Sequence, residues 1–253
     1  MRVVGLHRDV LVVTSRIWQT TCTIVRREHE CFVIDSPVLP DELEMLPAVL
    51  EHAGFQFTGL LATHADWDHL LAGLAFGSAP LGVAETTAAR LAAEPGAAAR
   101  ELRAFDEEHY VQRPGPLSLG RPQALPVPGH CEIGDAQIDL HPADGHTADG
   151  MAAWIPWARV LVCGDYLSPV EIPWICDGGS RATYLATLRR LAPIVGACEH
   201  VVPGHGAVLD PARAAAILRE DVAYLESLPG GALPIARRSA HQRAIHAANL
   251  ERL

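Results

Sequence analysis

The sequence predicts an α/β (α+β) fold, and three observations carry that prediction. Short runs rich in Val, Ile and Thr alternate with Ala-, Leu- and Arg-rich runs from end to end. Of the 253 residues, 49% are hydrophobic and 20% charged, the balance of a chain that buries a core. Four strand-like runs each deliver an acid or an imidazole just past their ends: GLLATH at His64, IDLHPADGH at His146, RVLVCGD at Asp165 and EHVVPGH at His205.

Taken in order, residues 9–14, 20–26 and 30–35 read as strands. Residues 39–53 read as a helix, with Pro40, Asp41 and Glu42 suited to its first turn and Gly54 to its end. A strand over 57–62 runs straight into THADWDH, residues 63–69. Residues 85–109 read as helical, broken at Pro95-Gly96, and the prolines and glycines of 111–130 predict an irregular loop. Strands follow at 136–140, 152–155 and 160–163, then a helix at 180–191, a short strand at 200–202 and helices at 211–228 and 235–253. No fixed-period repeat and no boundary divides the chain, so one domain over 1–253 is predicted, with a helical extension from about 229.

Composition narrows the partners. The net charge is −10, and the only basic patch, Arg237-Arg238 with Arg243 nearby, reads as a solvated helix face; nucleic acid is not an expected partner. No apolar run reaches the roughly 18 residues of a membrane span, and the N-terminus lacks the apolar stretch of a signal peptide. Six cysteines without a CxxC pair argue against a zinc ribbon or thioredoxin-like site and suit a reduced, cytoplasmic protein. A small-molecule substrate is expected; nothing sets the oligomeric state.

Loops past the C-terminal ends of strands converge in helix-covered sheets, and ligand sites collect there. THADWDH holds four candidates, His64, Asp66, Asp68 and His69. In extended backbone alternate residues point the same way, so His64 and Asp66 can face one metal ion. Asp68 and His69 are expected to open a following helix, whose N-terminus favours an anion, and to reach a second ion. Asp66 has another reading, as the cap of that helix.

The ordered motifs THxxxDH, GHT, GD and PGHG resemble the metallo-β-lactamase superfamily of hydrolases, over about residues 10–228. The resemblance implies a four-layer αββα sandwich with a dinuclear metal site at one edge of its two sheets. It assigns His64, Asp66 and His146 to one ion, Asp68, His69 and His205 to the other, and Asp165 as the bridge. Asp35 resembles a structural position, a buried acceptor near the site. The pattern departs from the family's HxHxDH, because Asp66 stands where the second histidine belongs. Two divalent ions are implied, zinc in the first instance. An added carboxylate hardens the site and moves its preference toward iron or manganese; it also makes a bound water less acidic. A second departure follows GHT, where Ala148-Asp149-Gly150 replaces the proline or glycine frequent in the family.

The implied activity is hydrolysis of a small ester, lactone, thioester, amide or phosphodiester by metal-bound water or hydroxide, with Asp68 as the candidate catalytic proton carrier. An iron-dependent, oxygen-using enzyme of the same fold is one alternative, and a metal-poor binding protein another. Residues 85–109 and 111–130 are expected to cover the site. Histidines outside the motifs, His241 among them, read as surface or loop residues; Trp67, Trp157, Trp174 and Tyr166 have two readings, a pocket wall or, more commonly for aromatics at strand ends, core.

Overall fold

The computed structural model describes residues 1–77 and 79–253. Seven strands pair in chain order in one sheet: β1 (Arg2–His7), β2 (Val10–Thr14), β3 (Thr21–Arg27), β4 (Glu30–Asp35), β5 (Gly59–Ala62), β6 (Leu81–Ala84) and β7 (Gln123–Leu125). Five form the other: β8 (Gly129–Ile133), β9 (Ala136–Pro142), β10 (Met151–Ile155), β11 (Val160–Val162) and β12 (His200–Val202). The first sheet is antiparallel through β4 and parallel from there to β7; the second is antiparallel except for the β11–β12 pair. The helices are α1 (Pro40–Ala53), α2 (Gly73–Phe76), α3 (Glu85–Ala93), α4 (Ala97–His109), α5 (Arg181–Ala197), α6 (Pro211–Ser227) and α7 (Ala240–Glu251).

The inner strands are almost wholly apolar because both of their faces are covered. Their period of two sorts neighbours into different cores. Val13, Ile24, Val33 and Leu60 pack with Leu43 and Leu46 of α1 and Leu102 of α4. Val12, Val25, Ile34 and Leu61, one position along, meet Ile138, Leu140, Met151 and Val160 of the second sheet. Ala152, Leu161 and Val201 turn the other way, onto Leu188 of α5, Ile217 of α6 and Ile245 of α7. Three apolar layers between four layers of secondary structure make the αββα sandwich.

Several elements differ from the sequence reading. β1 was not expected: it lies at the sheet edge, largely exposed, and pairs with β2. β6 is only LGVA, too short for a periodic signal, and is set by parallel pairing with β5. β7 and β8 fall in the stretch expected to be loop, where Pro122, Pro126 and Pro128 bound short paired segments. α5 runs past 191 and through Pro193, because Leu191 and Val195 are buried against the second sheet and packing outweighs the proline. The last helix starts only at Ala240, where the Ser239 hydroxyl accepts the Gln242 N–H. Arg237 is not on a solvated face. It is buried, with Nη1 2.6 Å from Asp221 and Nη2 3.2 Å from Glu220, and so ties the tail to α6. α7 in turn accepts the Ile172 N–H on Gln242 and the Ile175 N–H on Asn249, fixing the segment that carries Trp174. Among the described residues no helix is long and apolar enough to cross a membrane, and all six cysteines are free.

Candidate metal centre

The seven candidate side chains come from both sheets and meet at one edge of the sandwich. β5 ends at Ala62, and the next residue fixes the exit: the Thr63 N–H and hydroxyl both donate to the Asp35 carboxylate, at 2.7 and 2.9 Å. Asp35 itself ends β4 in the left-handed region, φ 61°, and is buried. It therefore acts as the structural acceptor expected of it. From there His64 and Asp66 share one side of an extended segment, Asp66 having φ −69° and ψ 138°. The Tyr166 hydroxyl accepts the His146 N–H at 3.1 Å, and the Tyr184 hydroxyl donates to the Asp165 carbonyl at 2.9 Å. Gly204 brings the β12 exit against Asp165; its N–H donates to the Gly164 carbonyl at 2.6 Å.

Three of the four imidazoles are hydrogen-bonded through Nδ1, and the fourth, His69, turns its Nδ1 toward a carboxylate without a hydrogen bond among the described residues. His146 Nδ1 lies 2.7 Å from the Trp174 carbonyl and His205 Nδ1 3.3 Å from the Trp18 carbonyl; a carbonyl only accepts, so these nitrogens carry the proton. The Thr63 hydroxyl gives its proton to Asp35 and so accepts from His64 Nδ1 at 3.0 Å. His69 Nδ1 faces Asp35 Oδ2 at 3.1 Å. The four Nε2 atoms are thereby left to face the centre, the side that metal-ligating histidines offer.

The acids complete two groups. Asp66 Oδ2 is 3.2 Å from His146 Nε2 and 3.6 Å from His64 Nε2. Asp68 Oδ2 is 3.4 Å from His205 Nε2 and 3.7 Å from His69 Nε2. Asp165 divides its oxygens: Oδ2 is 3.4 Å from His146 and 3.7 Å from His64, whereas Oδ1 is 3.1 Å from His69 and 3.4 Å from His205. Donors about 2.1 Å from a tetrahedral ion lie roughly 3.4 Å apart, so this spacing fits metal. His64 Nε2, His69 Nε2 and Asp165 Oδ1 are buried and make no hydrogen bond among the described residues. Buried polar atoms are nearly always partnered, and a cation is the partner this set suits. His64, Asp66 and His146 can hold one ion, and Asp68, His69 and His205 another.

The charges are coupled. Burial lowers the histidine pKa values, but the carboxylates outweigh it: His69 and His146 sit well above the usual imidazole range, and Asp165 and Glu171 raise His205 to about 10. Burial raises Asp66 and Asp165, but neighbouring imidazoles pull both well below the usual carboxylate range. Protons on these imidazoles therefore compete with metal for the same nitrogens. Zinc affinity is expected to rise with pH, since raising the pH removes the competing protons. Calorimetry of zinc binding at pH 7 in two buffers of different ionisation enthalpy should register net proton release. Buffer-independent heats would contradict that competition.

Other placements correct the sequence reading. No helix of any length opens at Asp68: Trp67–His69 is a single 3₁₀ turn, and Asp66 makes no side-chain capping bond. The helix-cap reading of Asp66 and the anion-favouring helix end both fall away. Beside the centre lies a cavity of about 340 Å³ whose lining includes Trp18, Trp67, Trp174, Arg90, Glu101 and His241. Trp67 and Tyr166 are buried in the core as expected, Trp67 also reaching the cavity edge; the exposed Trp174 lines the cavity, and His241, on the surface as expected, reaches it from α7. Arg90 and Glu101 come from the 85–109 region, as expected, but residues 116 and 118–121 of the 111–130 loop line a different cavity with Leu60 and Leu70. Trp18 carried no motif signal. Neither did Arg90, which sits in an ordinary helical run.

Two mixed sheets between helices, with a His/Asp cluster able to hold metal where strands from both sheets end, define a class of metal-binding sandwich. Residues 16–205 match the sequence model of the metallo-beta-lactamase superfamily, and the chain belongs to that superfamily. A metallo-beta-lactamase family protein from Thermus thermophilus is similar with a TM-score of 0.69 and 19% identity, covering 98% of this chain and 94% of that one. DIM-1 metallo-beta-lactamase exposed to ceftazidime gives a TM-score of 0.64 at 18% identity, covering 89% and 96%. A metallo-beta-lactamase from Pontibacter korlensis gives 0.61 at 18%, covering 86% and 98%. At such identities the likeness is one of fold. No curated protein matches the sequence.

Proposed function

We propose that the protein is a dinuclear metal-dependent hydrolase of a small ester, lactone, thioester, amide or phosphodiester. The observation that carries this is the division of the Asp165 oxygens between the two histidine groups, beside a cavity large enough for a small molecule. His64, Asp66 and His146 would hold one ion, and Asp68, His69 and His205 the other, with Asp165 shared. Two divalent cations there would make water a nucleophile at neutral pH and polarise the substrate oxygen. The chain's own part is positioning and proton handling. Nδ1 contacts hold each Nε2 in place, and the tryptophan rings give the substrate an apolar wall that keeps bulk water from the reacting group. The Asp68 carboxylate, on the cavity wall, is placed to take the proton that the nucleophilic water gives up.

Asp66 favours one second reading, an iron-dependent oxygen-using enzyme, since a hard oxygen ligand suits iron. One experiment separates the two. The protein is purified without chelator or added metal, its metal content is measured, and it is assayed on a lactone, ester, thioester, amide and phosphodiester panel alongside oxygen uptake. About two ions of zinc or manganese per chain and turnover of a panel member are expected. Iron with oxygen uptake selects the second reading. Less than one ion per chain after metal soaking removes both.

A further inference from the structure

The Asp66 carboxylate is not free to choose how it ligates. Its Oδ2 faces His146 and His64 Nε2, but its Oδ1 is 2.8 Å from Arg90 Nη1. The same Arg90 nitrogen is 2.9 Å from Asp149 Oδ1. Asp149 is almost wholly buried and is itself fixed: Oδ1 also accepts the Thr147 hydroxyl at 2.9 Å, and Oδ2 accepts the Ala65 N–H at 3.0 Å. Ala65 lies between His64 and Asp66, so the bonds close a ring from Asp66 through Arg90 and Asp149 back to the segment bearing two ligands. Asp66 and Asp149, one from each of the two stretches where this chain departs from the family pattern, thus grip one guanidinium on α3.

We propose that Arg90 is a positioning residue of the centre: it occupies one oxygen of Asp66, so that this carboxylate presents a single donor atom, as a histidine would. An unrestrained carboxylate can offer both oxygens or rotate away; a carboxylate with Oδ1 in a charge-assisted bond offers only Oδ2. Asp66, Arg90 and Asp149 together carry a charge of −1, spread over three groups instead of resting on the ligand alone. Asp149 serves as the anchor that keeps Arg90 in place when Asp66 turns to a cation.

This inference rests on the metal-site reading, and the test tells their failures apart. Arg90→Met and Arg90→Lys are made in the native chain and in Asp66→His. Zinc and manganese are titrated against a chelator, and folding is followed by circular dichroism. In the native background Arg90→Met is expected to weaken one of two binding events by about 10- to 100-fold, leaving the other in place. Arg90→Lys, which keeps the charge, should recover part of the loss. With Asp66→His, removing Arg90 should change affinity less than about threefold, because an imidazole offers one donor unaided. Should Arg90→Met not fold, Asp149→Asn in both backgrounds frees the guanidinium and asks the same question. Unchanged affinity in the native background overturns the proposal, as does an equal loss in both backgrounds, which would make Arg90 a strut for α3. A native chain that takes up no metal overturns the metal-site reading and this inference with it.

Discussion

Asp165→Asn is expected to lower metal content from about two ions per chain to one or none, and hydrolytic turnover by more than ~10²-fold. Each oxygen of Asp165 faces the Nε2 atoms of a different histidine pair, so one carboxylate serves two groups. Asparagine keeps the shape but turns an N–H donor toward lone pairs and removes the negative charge that two adjacent cations require. The backbone is not implicated, because Tyr184 holds the Asp165 carbonyl and not its side chain. Folding should therefore survive while loading fails. Metal analysis together with turnover on the best panel substrate decides it: two ions and native turnover would show that Asp165 is not the bridge.

Gly204→Ala should be nearly as damaging, although no ligand is touched. A β-carbon at Gly204 would overlap Asp165 Oδ1 and stand 3.0 Å from His69 Cε1 and from the Gly164 carbonyl carbon. The backbone cannot retreat, for its N–H is bonded to Gly164 at 2.6 Å and its carbonyl accepts from Thr21 at 2.7 Å. The carboxylate has to swing out of the centre. Loss of metal and about 1–3 kcal/mol of stability are expected, read by metal content and by a denaturant midpoint. Gly196→Ala is the control: nothing lies within 4 Å of its added methyl, and it sits in α5. A Gly204→Ala protein with native metal content would mean that the displaced oxygen is not a ligand.

The sandwich was legible in the sequence where its signals were local. The runs that became β2 to β4 are rich in Val, Ile and Thr, and those of β5, β10 and β11 are apolar throughout, because most of both faces is buried, and composition reveals that. β6 and β7 owe their existence to parallel neighbours distant in sequence, which no local window contains. Pro193 in α5 shows the same limit from the other side, a local stop signal overridden by burial of Leu191 and Val195. The seven candidate residues were legible because they sit at strand ends in recognisable motifs, and the structure brings them together. Their surroundings were not. Arg90 is an ordinary helix residue until Asp66 and Asp149 are seen on either side of it. Trp18 matters twice, through a ring that lines the cavity and a carbonyl that meets His205, and neither role has a sequence signature.

The grip on each imidazole from behind has a consequence for how the protein matures. The acceptors belong to Thr63, Asp35, Trp174 and Trp18, which lie in different regions of the chain. They aim the rings by contacts made between the packed layers. In small zinc modules the ion supplies the free energy of folding and the chain is disordered without it. Here three apolar layers bury cores of their own. An ion bound at this edge would then meet side chains already placed by packing, and its cost would lie in displacing protons rather than in ordering the chain. Which metal is kept would turn on the supply in its surroundings and on the one-oxygen offer of Asp66.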